Sequence, residues 1–282
     1  MTPKAGVRID LDQKPAMGDT MTRFNSGVWT LDCVDDTTDH AMNARQDIHN
    51  SEVPVVCRAC EARHRGVCGA LTPDQLVELS RHTTKRKVDP STVLVSDADT
   101  IDSYANVLAG VIKLTKTLAD GRQQIVGLQF APDFLGRPFK QESSITAEAA
   151  TPVQVCAFPK KSLDRMIEQA PELGHRLHIQ ALNELDEARD WMLTLGRKTA
   201  AERVASFLYL IARHGDPEAE TDGEISFDLP LTRSDIADFL GLTIETVSRQ
   251  LTKLRKDGLI SVENNRHITV FNMAKLERRA NV

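Results

Sequence analysis

The chain has 282 residues, of which 41% are hydrophobic, so it is long enough for one large domain or two ordinary ones. No apolar run reaches the roughly 18 residues that a membrane helix needs, and the first residues lack a secretory-signal pattern. The net charge of −5 argues against a non-specific nucleic-acid coat. We therefore expect a cytoplasmic protein, in which clustered cysteines indicate a metal or redox site rather than disulfides.

The N-terminal segment, residues 1–54, is polar and has no sustained periodicity. We expect a poorly ordered extension there. Cys33 lies in this extension and is expected to play no part in a site. A short helix is predicted further along the chain, with Thr72 as its N-cap and Pro73 at its first position.

The stretch that follows the extension is rich in cysteine. Cys57 and Cys60 form a C-x2-C pair, and Cys68 comes after seven intervening residues. Three thiolates this close together can surround one soft metal centre, which then needs a fourth ligand. Zinc accepts four cysteine ligands as well, and unliganded thiols or a redox disulfide are further interpretations. A lone cysteine such as Cys156 is more often a core residue.

From about Val88 to Pro159 short β-type runs alternate with Gly, Pro and Asp, which is typical of a small barrel or roll. Asp120-Gly121 separates two of the runs and indicates a hairpin turn. The predicted strands are Thr92–Val95, Asn106–Leu118, Gln124–Phe130 and Pro152–Phe158.

Three helices are predicted next, at Lys161–Gln169, Pro171–Leu195 and Ala200–His214. The second carries an apolar stripe with the spacing of a coiled-coil seam, and its other faces are highly charged. The stripe predicts self-association of two chains, although packing on the chain's own β domain remains an alternative. Its members are His178, Ala181, Leu185, Ala188, Met192 and Leu195.

The C-terminal segment has the pattern of a helix-turn-helix followed by a hairpin. Thr232 can cap a first helix with Asp235 at its third position, and Gly241 ends that helix. A second helix is predicted between Thr243, its N-cap, and Asp257. The acidic stretch Gly215–Glu224 is predicted to be a loop. The hairpin, or wing, is predicted from two strands, Ile260–Val262 and His267–Phe271, joined at Asn264-Asn265.

The second helix has two faces. Val247, Leu251 and Leu254 form a buried stripe, and Glu245, Ser248 and Arg249 share another face in the first two turns. Arg, Glu and Ser are residue types that read base edges, and cations along the same side suit phosphates. Nine Lys/Arg against six Asp/Glu between Leu229 and Val282 support a DNA-reading domain, although an ordinary exposed helix pair remains an alternative. The phosphate candidates are Thr243, Lys253 and Lys256.

The run LGLTIETVSRQL, residues 240–251, resembles the recognition element of the FNR class of the CRP/FNR superfamily, whose signature is Glu-x-x-Ser-Arg. The resemblance covers the chain from about Val55 onward. It implies an α+β fold with a cysteine loop and β-roll (cyclic-nucleotide-binding-like jelly roll) at 55–170, a dimerisation helix at 171–196 and a winged helix-turn-helix at 197–282. It also implies that Glu245, Ser248 and Arg249 read TTGAT-like half-sites in an inverted repeat.

The resemblance gives the cysteines a meaning. Cys156 falls where the fourth cysteine of that class falls, so Cys57, Cys60, Cys68 and Cys156 are implied to hold an oxygen-labile [4Fe–4S] cluster. The best-known pattern has five residues between the second and third cysteines, whereas this chain has seven. The longer loop looks like a variant found in the same class, and it puts the oxygen sensitivity of the cluster in doubt.

Two other functions of this fold are not expected. Cyclic-nucleotide binding in the superfamily resembles Gly-Glu followed by Arg-Ser-Ala, but here Gly136 precedes Arg137-Pro138, and Ser143-Ser144-Ile145 offers no arginine for the phosphate. Catalysis is not expected either, because no nucleophile–base set, P-loop or dinucleotide loop is present.

The sequence therefore predicts an oxygen-responsive transcription regulator that binds double-stranded DNA as a homodimer and works with RNA polymerase. An alternative is a constitutive or thiol-redox-responsive DNA-binding dimer without a cluster, and a metal-dependent enzyme is a distant third.

Overall fold

The computed structural model describes residues 53–215 and 223–282 of the chain. The predicted extension, residues 1–54, lies outside these ranges except for Val53 and Pro54, and so does Cys33. The described chain runs through a helical cysteine segment, a roll of two β-sheets, a series of helices and a small mixed domain. This order agrees with the predicted α+β architecture.

The cysteine segment forms short helical turns rather than an irregular loop. The helix that follows it begins with a capping box, because the Thr72 hydroxyl accepts from the Gln75 amide and the Gln75 side chain accepts from the Thr72 amide. Thr72 and Pro73 therefore have the predicted positions. The elements are α1 (Val55–Arg58), α2 (Glu61–His64), a 3-10 turn (Val67–Ala70) and α3 (Pro73–Ser80).

The roll consists of two four-stranded antiparallel sheets with the orders β1-β8-β3-β6 and β2-β7-β4-β5. Apolar side chains from both sheets, such as Val107, Ile112 and Val155, form the core between them. The strands are β1 (Thr84–Val88), β2 (Val93–Val95), β3 (Ser103–Ala109), β4 (Ile112–Thr117), β5 (Gln123–Gln129), β6 (Phe134–Leu135), β7 (Thr146–Ala149) and β8 (Val153–Pro159).

The prediction of one strand over Asn106–Leu118 was wrong. The run is divided between β3 and β4, which belong to different sheets. Gly110 lies between them with φ +85°, and a Cβ there would overlap the carbonyl oxygen of Pro152. Glycine therefore permits the sharp change of direction. The predicted turn at Asp120-Gly121 is confirmed, since β4 and β5 pair on either side of it.

Three helices follow the roll, within two residues of their predicted bounds. Helix α5 is about 40 Å long at 1.5 Å per residue, yet only Leu173 and Thr194 on it are buried. By contrast, Phe207 and Leu208 on α6 are fully buried in the core of the C-terminal domain. The helices are α4 (Lys160–Gln169), α5 (Pro171–Arg197) and α6 (Ala200–Gly215). None of the helices in the described ranges is long and apolar enough to cross a membrane.

The C-terminal domain packs three further helices and a three-stranded sheet, of order β10-β11-β9, around α6. Its first strand and last helix were not predicted, and most of the predicted loop Gly215–Glu224 lies outside the described residues. The elements are β9 (Ile225–Asp228), α7 (Arg233–Leu240), α8 (Ile244–Lys256), β10 (Ile260–Glu263), β11 (His267–Val270) and α9 (Met273–Ala280).

Helix α7 lies against the β4–β5 hairpin of the roll. Lys113 on β4 places its Nζ 2.8 Å from a carboxylate oxygen of Asp235 and 3.0 Å from one of Glu148, and all three side chains are largely buried. Gln124 donates to the main-chain oxygen of Phe239 at 3.0 Å. The roll therefore holds the first helix of the helix-turn-helix directly.

Candidate functional site

The turn between α7 and α8 is built as the sequence predicted. The Thr232 hydroxyl accepts from the Asp235 amide at 3.1 Å, and the Asp235 carboxylate accepts from the Thr232 amide at 3.2 Å. Gly241 ends α7 in the left-handed conformation, with φ +60°. The Thr243 side chain then accepts from the Thr246 amide and caps α8. These caps fix the direction in which α8 leaves the domain.

Helix α8 buries one face and exposes the other. The buried stripe is the predicted one, with Val247, Leu251 and Leu254 all within the core. Hydrogen bonds from the backbone amide of Glu245 and from the Thr243 hydroxyl lower the pKa of the Glu245 carboxyl. This carboxylate is therefore ready to accept hydrogen bonds at neutral pH. All the predicted DNA-contacting side chains are exposed along the helix, namely Thr243, Glu245, Ser248, Arg249, Lys253 and Lys256.

One exposed residue of α8 was missed by the sequence reasoning. Ile244 is the first residue of the helix, next to Glu245, and is 47% exposed although it is apolar. Its signal in the sequence was an apolar residue outside the buried stripe. Apolar side chains at the start of a recognition helix contact the methyl groups of thymine.

The wing is confirmed as a hairpin of β10 and β11. Asn264 and Asn265 both have positive φ, +49° and +58°, which is the conformation of a two-residue hairpin turn. Arg233 at the start of α7 donates to the main-chain oxygen of Asn265 at 3.1 Å. The turn of the wing is thereby joined to the first helix of the DNA-reading element.

The second candidate site lies between the cysteine segment and the roll. Cys156 is on β8, where its cross-strand neighbours are Lys85 on β1 and Asn106 on β3. Directly opposed residues in a sheet point to the same face. The cysteine segment covers this face, so the chain brings together the four cysteines that the sequence implied. Cys57, Cys60, Cys68 and Cys156 line one small cavity with Asn106, Leu76, Leu79 and Phe158.

The four thiols are free and differ in burial. Cys156 is buried, whereas Cys57, Cys60 and Cys68 are half-buried. Burial, and then the neighbouring Cys156, raises the pKa of Cys68 to about 12. Burial, and then Cys60, raises the pKa of Cys156 to about 11. Within the described residues, no three His, Cys, Asp or Glu side chains are arranged to hold a single metal ion.

The cysteine segment also touches the long helix α5. The guanidinium of Arg176 donates to the main-chain oxygen of Arg65 at 2.8 Å. Val67 of the 3-10 turn and Leu173 of α5 are buried in the same cluster, against which Cys68 packs. The segment that carries three thiols is therefore joined to α5 by both apolar packing and a hydrogen bond, a link that the sequence did not indicate.

The predicted dimer seam is left uncovered by the described part of the chain. Of its six members, five are exposed and Leu195 is half-buried. Leu185 and Met192 are 44% and 72% exposed, and Ile179, Leu182 and Leu193 on the same helix are exposed as well. The alternative that the stripe packs on the chain's own β domain does not bury these side chains.

Known proteins match this chain over both of its folded parts. Residues 202–279 match the Crp-like helix-turn-helix domain, and residues 85–170 match the cyclic nucleotide-binding domain. A probable transcriptional activator of Rhizobium leguminosarum bv. viciae is 57% identical over 235 residues, which are 83% of this chain and 97% of that protein. The chain belongs to the CRP/FNR family of transcription regulators.

Two further relatives support this assignment. The transcriptional activator protein FnrL of Cereibacter sphaeroides is 42% identical over 81% of this chain and 94% of its own length. The structure of FixK2 from Bradyrhizobium japonicum matches with a TM-score of 0.62 and 31% identity, over 70% of this chain and 96% of that chain. The fold prediction is confirmed. The relatives are DNA-binding transcriptional activators of the CRP/FNR family, and this chain is one as well. The prediction that it is not an enzyme is confirmed by the same relatives.

The family's roll encloses a second, larger cavity of about 1000 Å³, between its inner face and α5. Arg137 lies there, but its guanidinium is hydrogen-bonded to the Ser144 hydroxyl and faces the carboxylate of Glu184. Asp133 adds another carboxylate to the lining. The charged side chains of the described lining are three acids, Asp133, Glu184 and Glu187, and three bases, Arg86, Arg137 and Lys140, of which Arg137 is hydrogen-bonded to Ser144.

Proposed function

We propose that this CRP/FNR activator is oxygen-responsive and binds TTGAT-like inverted repeats as a homodimer while Cys57, Cys60, Cys68 and Cys156 hold a [4Fe–4S] cluster. The observation that carries the proposal is the shared cavity, which gathers four thiols from two distant parts of the chain. The regulator acts on DNA in the cytoplasm. RNA polymerase is the further partner that activation requires.

The donor set suits an iron–sulfur cluster. Four cysteines line the cavity, no His, Asp or Glu is among its described lining residues, and thiolates are the ligands that such clusters take. The cavity measures about 20 Å³, roughly the space of one water molecule, so the cysteine segment must move outward when a cluster is bound. Its three half-buried thiols lie on or beside short helical turns rather than on a strand of the sheet, which permits that movement. When bound, the cluster supplies an oxygen-labile bridge between the segment and β8.

The contacts of the cysteine segment provide a route from the cavity to DNA. Holding the four thiolates together would fix the position of the segment, and the contacts of Val67 with Leu173 and of Arg65 with Arg176 would transmit that position to α5. This packing favours the arrangement in which the α5 helices of two chains pair. If the thiolates were released, the segment would lose its anchor on β8, and α5 would lose the support of Val67 and Arg65. Two states with different affinity for DNA then exchange population.

The exposed face of α8 supports recognition of the half-site. Arg249 is suited to grip guanine O6 and N7, Glu245 accepts from cytosine N4, and Ser248 adapts to either. Ile244 adds an apolar contact for a thymine methyl group, which two neighbouring thymines in TTGAT provide. Thr243, Lys253 and Lys256 contact phosphates and set the register. A two-fold dimer presents two such helices to two half-sites.

Cyclic-nucleotide binding is not part of the proposed function. The Gly-Glu and Arg-Ser-Ala pattern of cyclic-nucleotide binding is replaced here by Gly136-Arg137 and Ser143-Ser144-Ile145, and the guanidinium of Arg137 is engaged by the Ser144 hydroxyl. Isothermal titration with cyclic AMP is expected to give no heat of binding.

The Arg249→Ala variant tests the reading face. We expect it to bind a TTGAT-like site more weakly by about 1–3 kcal/mol for each half-site, roughly 5- to 150-fold, because both bonds to guanine are lost. It should also lose its preference for guanine at that position. Fluorescence anisotropy with matched and guanine-substituted duplexes measures both effects. Arg278→Ala removes one exposed cation from α9 and serves as the matched control, which should keep the preference. Unchanged affinity and preference in Arg249→Ala would falsify the assignment.

A further inference from the structure

Asn106 is a fully buried polar residue in the middle of β3, beside the four-cysteine cavity. Its amide nitrogen donates to the sulfur of Cys68 at 3.2 Å. Its amide oxygen is buried and has no hydrogen-bond partner among the residues that the structure describes. In the sheet register Asn106 also lies directly opposite Cys156. One side chain is therefore next to a thiol of the cysteine segment and a thiol of the roll.

The hydrogen bonding of the Asn106 side chain does not favour the stability of the fold. A buried carbonyl oxygen without a partner costs free energy, and leucine, which has a similar shape, carries no polar atom that needs one. The hydrogen bond to sulfur is also oriented for a particular partner. The amide N–H is directed at the Cys68 sulfur, and a thiolate held by a metal centre is a stronger acceptor for that N–H than a neutral thiol is.

Lys85 is the neighbour of Cys156 on the side of the sheet strand opposite to Asn106. Lys85 lies opposite Cys156 on β1, and its ammonium group donates to the main-chain oxygen of Val56 at 3.0 Å. Lys85 thus holds the cysteine segment to the sheet near Cys57, while Asn106 contacts Cys68. The two thiols at the ends of the segment therefore have different neighbours, and only Cys68 receives a side-chain hydrogen bond from the sheet in the described structure.

We propose that Asn106 is a positioning residue that tunes the cluster through the Cys68 thiolate. An N–H donor withdraws negative charge from a ligand sulfur, and hydrogen bonds to the sulfurs are among the factors that set the reduction potential of iron–sulfur clusters. With the donor present the reduction potential is more positive, and Cys68 is retained more strongly as a ligand. This role rests on the proposed function, since it requires the four cysteines to hold a cluster.

The test compares wild type with Asn106→Leu and Asn106→Asp after anaerobic reconstitution with iron and sulfide. Both variants keep the number and branching of the side-chain heavy atoms and lose the neutral amide donor. Gln129→Leu is the matched control, because Gln129 is also a buried amide with an unpartnered oxygen, but its nitrogen donates to the main-chain oxygen of Phe134. The measurements are iron per chain, the reduction potential from a dye-mediated titration, and thermal unfolding of the protein without iron.

We expect both Asn106 variants to have a more negative potential than wild type, by about 59 mV for a tenfold change in a one-electron equilibrium. Iron should also leave them several-fold faster in air. Without iron, Asn106→Leu should unfold at the same temperature as wild type or higher, and Gln129→Leu should keep the wild-type potential. A further outcome is that neither Asn106 variant takes up iron, although both unfold at the normal temperature and Gln129→Leu takes up iron as wild type does. This outcome would support the role of Asn106 in retaining the cluster.

Two outcomes overturn the inference and can be distinguished. Equal potentials and equal iron release in wild type and both Asn106 variants remove the role of Asn106 but leave the proposed function intact. A wild-type chain that takes up no iron removes the proposed function, and the role of Asn106 with it.

Discussion

The Cys156→Ser variant is expected to take up almost no iron under anaerobic reconstitution and to lose anaerobic DNA binding with it. Cys156 supplies the thiol of the roll in the cavity, whereas the other three belong to one short segment of the chain, residues 57–68. A serine hydroxyl is a hard and protonated donor that does not replace a soft thiolate. The loss of iron affinity should exceed the roughly 10- to 100-fold that removal of an outer-shell partner costs.

Iron and sulfide assays with visible absorption measure this prediction. Cys33→Ser is the control, because Cys33 is expected to play no part in the site, and it should load as wild type does. Full loading of Cys156→Ser would contradict the proposed ligand set. A colourless wild-type protein that carries one zinc per chain would favour the zinc alternative instead.

The Leu185→Asp variant is expected to be monomeric and to bind DNA only weakly. Leu185 is 44% exposed in the middle of the α5 stripe, so two paired helices would place two carboxylates in an apolar seam. A single chain reads one half-site. Its affinity should fall toward the range of non-specific binding, with a Kd of roughly 10⁻⁴–10⁻⁶ M at physiological salt.

Analytical ultracentrifugation of anaerobic protein, together with DNA anisotropy, measures both effects. Asn183→Asp adds the same charge to the same helix two residues away, at a position that is not part of the predicted stripe. This control should remain dimeric. A Leu185→Asp protein that sediments as a dimer would show that the α5 stripe is not the seam.

Local patterns of the sequence predicted the DNA-reading element well. Caps such as Thr232, Gly241 and Thr243 involve residues only three or four positions apart, so their geometry is readable without the rest of the fold. The 3,4 spacing of Val247, Leu251 and Leu254 predicted which face of α8 is buried for the same reason.

Elements decided by long-range pairing were missed. Strand β1 reads Thr-Lys-Arg-Lys-Val and exposes four of its five residues, so its only reason to be a strand is its partner β8. Strand β7, Thr146–Ala149, contains residues of low strand propensity and is held between its two neighbouring strands.

Helix α9 was missed although its signals are local. Asn272 caps this helix, and Met273, Leu276 and Ala280 have helical spacing.

The same distinction applies to the cysteine cavity. The spacing of Cys57, Cys60 and Cys68 indicated a site, but the position of Cys156 in it was implied only by resemblance. Asn106 and Lys85 enter because the register of three strands places them beside Cys156, and register depends on the whole sheet. The contact of Arg176 with Arg65 joins residues 111 positions apart and has no local signal.

The alternative to an oxygen-responsive cluster protein is a constitutive or thiol-redox-responsive DNA-binding dimer. Such a dimer would use α8 and α5 in the same way, but its cysteines would hold no iron. The two accounts differ in one respect, since only the cluster account makes DNA affinity depend on iron.

The most direct test of the account is DNA binding by one anaerobically loaded sample before and after a controlled exposure to oxygen, with cluster absorption followed in parallel. We predict that affinity for a TTGAT-like inverted repeat falls at least about tenfold as the absorption is lost, a coupling of about 1.4 kcal/mol or more. Equal affinity before and after complete loss of the absorption would contradict the account.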